Sequence, residues 1–131
     1  MKTVDYIHED SLLFFNRQPG AYALYEAFAA KLLEQYPDTG IRVQKSQISF
    51  SNRYMFACVS LQRVKKKAEL PEPYIVLTLG LPYPLDSGRA AVKTEPYPGR
   101  WTTHIVIGSA DELDAELFEW VKEAYDFAER K

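Results

Sequence analysis

Arg100-Trp-Thr-Thr-His-Ile-Val-Ile-Gly-Ser109 runs straight into Ala110-Asp-Glu-Leu-Asp-Ala-Glu-Leu-Phe-Glu-Trp-Val-Lys-Glu-Ala-Tyr-Asp-Phe-Ala128. The span from Trp101 to Ile107 is β-branched and aromatic, which suits a pleated, half-buried strand. Ser109 precedes Glu112 by the spacing of a capping box, in which the serine hydroxyl accepts from the Glu112 N–H and the carboxylate reaches back to the Ser109 N–H. Leu113, Leu117, Trp120, Val121, Ala124 and Ala128 follow at helical spacing and make one apolar stripe. Asp111, Glu112, Asp114 and Glu116 crowd the positive end of the helix dipole, while Arg130 and Lys131 lie beyond its negative end. The stretch therefore predicts a strand that turns into a capped helix lying on a sheet.

The same period recurs near the other end of the chain. Ala21, Leu24, Tyr25, Phe28, Leu32 and Tyr36 form a second amphipathic stripe, opened by Pro19 and closed before Pro37 and Gly40. Ahead of it, Asp10 can cap a short turn over residues 11–15, and residues 1–9 read as a loosely ordered lead-in. Between the helices the period changes to two. Residues 41–45 and 47–50 alternate apolar and polar, Ser51-Asn52 reads as a turn, and residues 53–64 read as a third strand ending in Lys65, Lys66 and Lys67. Pro71 and Pro73 bracket a loop, and residues 74–81 form a near-continuous β run of the kind found in central strands. The proline-rich residues 82–98 read as a long loop. The expectation is one α+β domain over residues 1–131: a mostly antiparallel sheet of about five strands, with the N-terminal and C-terminal helices packed on one face.

Composition narrows the function classes. With 47% hydrophobic residues the chain can bury a core, and a net charge of −2 argues against a dedicated nucleic-acid binder. The single cysteine, Cys58, excludes an internal disulfide and a multi-cysteine metal cluster. No apolar run is long enough for a bilayer and the first residues carry no apolar signal core, so a cytoplasmic location without membrane contact is expected. No cofactor motif and no metal-ligand spacing is visible.

Strand parity sorts the side chains. Trp101, Thr103, Ile105 and Ile107 share one face, and Thr102, His104 and Val106 the other; Tyr54, Phe56, Cys58 and Ser60 oppose Arg53, Met55, Ala57 and Val59. Ile75, Leu77, Leu79 and Leu81 must face the helices, leaving Tyr74, Val76 and Thr78 on the other side. If registers align, that open side is aromatic with scattered hydroxyls, like a binding groove or dimer surface. His104 can be a general base or an imidazole bonded to a neighbouring hydroxyl. Cys58, mid-strand among aromatics, reads as a buried thiol before it reads as a nucleophile. Lys45, Arg53 and Arg100 can contact an anion or simply mark strand ends in water, and Lys65 to Lys67 suit a solubilising tip.

Phe14-Phe15 with Pro19, Leu24-Tyr25, the Val43 to Phe50 segment, Arg53 to Ala57 and Arg100-Trp-Thr-Thr-His104 together resemble a small bacterial family catalogued as a domain of unknown function, some members labelled "predicted transport protein". The resemblance runs from about residue 11 to residue 128 and carries no activity; it emphasises Lys45, Phe50, Arg53, Phe56, Trp101 and His104. In layout the chain is also similar to small α+β domains grouped with a frataxin-like iron chaperone, where the acidic helix would be the place for iron. The functional expectation is a non-catalytic module that binds a small ligand or a protein on the open sheet face, through Lys45, Phe50, Arg53, Phe56, Arg100, Trp101 and His104. Two alternatives stand beside it: the face as a homodimer interface, and a hydrolase or transferase using His104 with Cys58 or Ser60.

Overall fold

The computed structural model describes residues 15 and 18–130, so the expected lead-in and the turn capped by Asp10 lie outside the described residues apart from Phe15. Helix α1 (Pro19–Gln35) opens with proline in its first turn and is followed by β1 (Gly40–Val43), β2 (Ile48–Ser51) and β3 (Met55–Ser60). A 3-10 turn (Lys67–Glu69) precedes β4 (Ile75–Leu81), β5 (Ala90–Tyr97) and β6 (Arg100–Ile107). A second 3-10 turn (Ala110–Glu112) then leads into α2 (Ala115–Arg130). The strands form one antiparallel six-stranded sheet in the order β1-β2-β3-β4-β6-β5.

The sixth strand is where the expected long loop stood. Pro96 had argued against a strand over residues 82–98, but β5 is an edge strand, where a missing ladder N–H can face outward. Pro98 and Gly99 close the β5–β6 hairpin, with Tyr97 opposite Arg100 and Gly99 at φ 74°, the left-handed position that a proline–glycine turn assigns to glycine. The third strand is shorter than expected, ending at Ser60.

The C-terminal helix begins in two steps. Glu112 Oε1 accepts from the N–H of Gly108 at 2.7 Å and of Ser109 at 3.1 Å, which is the carboxylate half of the expected capping box. That box closes the 3-10 turn, however, and α2 takes Asp114 as its own cap, Oδ1 accepting from the Leu117 N–H at 2.9 Å.

Both helices meet the same side of the sheet. Phe28 of α1 packs edge-on against Phe50 of β2 at 5.5 Å and stacks on Phe118 of α2 at 5.7 Å, while Tyr125 of α2 meets Phe56 of β3 at 5.1 Å. Ile75, Leu77, Leu79 and Leu81 join Leu117, Val121, Ala124 and Ala128 in the core, as parity requires. Burying each such side chain contributes roughly 1.5–3 kcal/mol. A loop element locks onto this layer by close approach: a Cβ on Gly108 would lie 2.5 Å from Pro71 Cγ, and one on Gly20 2.7 Å from Pro73 Cγ. Glycine at both places lets the residue 71–73 loop sit against the start of α1 and the exit of β6.

Candidate functional site

Register carries the argument from strands to site. Ser49 of β2 stands opposite Cys58 of β3, Cys58 opposite Thr78 of β4, and Thr78 opposite His104 of β6. Since directly paired residues share a face, hydroxyl, thiol, hydroxyl and imidazole form one row across four adjacent strands, on the side away from the helices. The row is hydrogen-bonded along its length. Thr78 Oγ1 lies 2.7 Å from His104 Nδ1, Cys58 Sγ donates to Gln47 Oε1 at 3.6 Å and also contacts Thr78, and Ser49 Oγ donates to Gln44 Oε1 at 2.6 Å. Gln47 Nε2 in turn donates to Ser49 Oγ at 3.2 Å and reaches Met55 Sδ at 3.7 Å.

Burial tunes the two titratable members. It lowers the His104 pKa from its ordinary value of 6.5, so the ring is neutral near pH 7, with Nδ1 engaged by Thr78. It raises the Cys58 thiol, an effect only partly opposed by the Thr78 contact. Cys58 and His104 share a face but not a contact: β4 stands between them, which separates their backbones by about 10 Å. Ser60 is buried opposite Val76, and its hydroxyl has no hydrogen-bond partner among the described residues. The row thus holds a protonated thiol and a neutral imidazole joined through a hydroxyl, without a nucleophile–base contact.

Beside the row lies a small cavity of about 140 Å³, lined by Met55, Cys58, Thr78, Gly80 and Thr102 among others. Gly80 is its floor. A Cβ built there would meet nothing within 4 Å, and Gly80 is not in a positive-φ conformation. Neither backbone geometry nor packing requires glycine at this position in β4, a central strand that lies third from the β5 edge and fourth from the β1 edge. Such a glycine leaves room above a sheet, at a cost in strand stability.

The residues emphasised by sequence fall into three groups. His104 belongs to the row, on the expected face. Arg53, Arg100 and Trp101 gather at one end of the sheet, where β3 and β6 begin and β4 ends. Trp101, however, pairs with Leu81 on the helix side. Phe50 and Phe56 are core residues, 0% and 1% exposed, and Lys45 is an exposed residue of the β1–β2 turn at the opposite end. The expectation of an aromatic open face is corrected at Phe56. A β-bulge sets Phe50 opposite Ala57 and Ser51 opposite Met55, so Phe56 is the extra residue and is re-aimed into the helix layer against Tyr125. The open face mixes small polar side chains with Val76, Val92 and Val106, and Tyr54, Met55 and Tyr97 are exposed large apolar residues at its end.

The chain matches the family described as Domain of unknown function (DUF5655) over residues 14–128. It belongs to that family. No curated protein and no solved structure matches the chain. The match covers β2, β3, β4 and β6, the strands that build the row and the cavity, so these residues lie within the family's domain. Among the described residues no group of histidine, cysteine and carboxylate side chains is placed to hold a metal ion, and no helix is long and apolar enough to cross a membrane.

Two features within this DUF5655 domain were not legible as site features. Arg89, in the stretch read as loop, donates to Asp114 at 3.0 Å, to Glu116 at 3.1 Å and to the Glu112 carbonyl at 2.7 Å, and lies over the Trp120 ring. It clamps the lead into β5 onto the start of α2. A larger cavity of about 570 Å³ lies between the helices near Lys31 and Phe118, where Lys31 donates to the Leu113 carbonyl and Asp114 is taken by Leu117 and Arg89.

Proposed function

We propose that this domain is a non-catalytic binding module whose site is the notch over Gly80 on the sheet face opposite the helices. The observation that carries it is the vacancy in packing terms at Gly80, a central-strand glycine with open space where any side chain would stand. The notch is smaller than the roughly 300–1,000 Å³ of a typical small-molecule pocket, and about the size of one side chain. Its walls combine the Met55 thioether and the Leu79 backbone with the hydroxyls of Thr78 and Thr102. That mixture suits an apolar group on a polar stem, such as an anchoring residue of a protein partner. The protonated state of Cys58 and the strand between it and His104 favour binding over catalysis.

Titration of the isotopically labelled protein with N-acetyl-leucinamide tests this reading. The amides of Gly80, Thr102 and Thr78 are expected to shift together and saturably. Shifts confined to the Lys31–Phe118 cavity, or none on the sheet, would overturn it.

A further inference from the structure

We infer that the occupant of the notch is an acidic segment of another protein, held by Arg53 and Arg100 on either side of an apolar anchor. This rests on the notch being a binding site and adds the chemistry of the partner. The first observation is where the exposed apolar surface lies. Tyr54, Met55 and Tyr97 are exposed by 47%, 49% and 66%, and all three sit at the end of the sheet where β3 and β6 start and β5 finishes. Tyrosine, methionine and arginine are the residue types enriched in interface cores, against a background of lysine and glutamate elsewhere on surfaces.

The second observation is the sign of the charge. Residues paired across the face away from the helices include Arg42 and Arg100 but no carboxylate. Arg53, in the β2–β3 bend, stands two residues before Met55, and Arg100, at the start of β6, two before Thr102, so an arginine lies near in sequence to a lining residue on each side of the notch. Both arginines are exposed, and among the described residues neither forms an ion pair; the Arg53 guanidinium lies over the Tyr54 ring at 5.6 Å. The chain as a whole carries a net charge of −2, yet the charged residues paired on this face are arginines. Glu95, the carboxylate nearest in the β5–β6 hairpin, is occupied by the Gly99 N–H. Planar guanidiniums pair with carboxylates in a forked geometry, and unpaired arginines beside an apolar notch complement a segment with acidic residues on both sides of an apolar one.

The test uses two labelled peptides, acetyl-Glu-Glu-Leu-Glu-Glu-amide and its lysine counterpart, with oligothymidylate as a third probe, followed by fluorescence anisotropy at low salt. The acidic peptide is expected to bind about tenfold or more tighter than the lysine peptide, with the difference shrinking as salt rises. The advantage should disappear in Arg53→Ala/Arg100→Ala, whose fold is checked by circular dichroism, and Arg100→Glu should instead favour the lysine peptide. Equal binding of the two peptides, with N-acetyl-leucinamide still shifting Gly80, would overturn the acidic partner and leave the notch standing. Absence of both responses would overturn the two readings together. Tighter binding of oligothymidylate, or self-association that shields Met55 and Tyr97 and admits no peptide, would also overturn it by naming a different occupant.

Discussion

Thr78 and His104, on neighbouring central strands, are joined hydroxyl to Nδ1 at 2.7 Å, and the same threonine touches Cys58 on its other side. The Thr78 hydroxyl therefore holds the imidazole in place, while the thiol donates its hydrogen bond to Gln47. Replacing the hydroxyl with a methyl in Thr78→Val keeps the shape and leaves His104 Nδ1 without its partner. A loss of about 1–2 kcal/mol in denaturant unfolding is expected. An unchanged midpoint would show that the bond contributes nothing.

His104 also gives the fold a pH dependence whose sign is determined. Burial lowers its pKa below 6.5, so as pH falls the unfolded chain takes up the proton first. The stability tied to His104 is complete above about pH 6.5 and declines as pH drops through that value toward the lowered one. Unfolding midpoints measured across this window should fall in the parent and fall less in His104→Gln. Equal slopes would contradict the assignment.

Asp114 acts with the same sign at lower pH. Its carboxyl is held below the usual 3.8, chiefly by the Leu117 N–H and then by Arg89. The stability it supplies is present above the ordinary carboxylate value and is lost as pH falls toward the lowered one. In Arg89→Ala the Asp114 carboxyl, followed by NMR, should titrate at higher pH than in the parent yet stay below the ordinary value, because Leu117 still donates. No change would mean the Arg89 clamp is not formed in solution.

Gly108 has no room for a methyl, since its Cβ would sit 2.5 Å from the Pro71 ring. Gly108→Ala should cost about 1–3 kcal/mol. Adding Pro71→Ala should recover much of that loss, so the double variant is less destabilised than the sum of the singles. Strict additivity would show that the two residues do not meet.

Much of the architecture was legible because it rests on periods that survive any detail of packing. The stripes in α1 and α2 and the alternation of β4 and β6 assigned the helix-facing residues correctly, and with them His104 and Thr78 on the other side. What failed were local departures from period. At Phe56 parity breaks because a bulge adds one residue to β3, and pairing partners, which are nonlocal, decide where a bulge falls. Over residues 90–97 proline read as a loop because its tolerance depends on lying at an edge, again a nonlocal fact. Gly80 carried no signal inside an apolar run; only the surrounding strands show that space is left above it. Arg53 and Arg100 were read as candidate anion contacts of one site, but that they share an end of the sheet which Lys45 does not could not be counted from spacing.

The bulge has its own consequence. Phe56 is 1% exposed and meets Tyr125, which stacks on Tyr36 at 4.0 Å. Phe56→Ala should destabilise by about 3–5 kcal/mol, in the range of a core aromatic and well above a residue on a ligand-contacting surface. A near-neutral result would return Phe56 to the open face.

The most direct measurement fills the notch. Gly80→Leu places a side chain in the space above β4 where a Cβ has no neighbour within 4 Å. We predict that the variant folds with stability equal to or above the parent, and that N-acetyl-leucinamide no longer shifts Thr102 and Thr78. A folded variant that still responds to the compound with the parent's affinity would contradict the account.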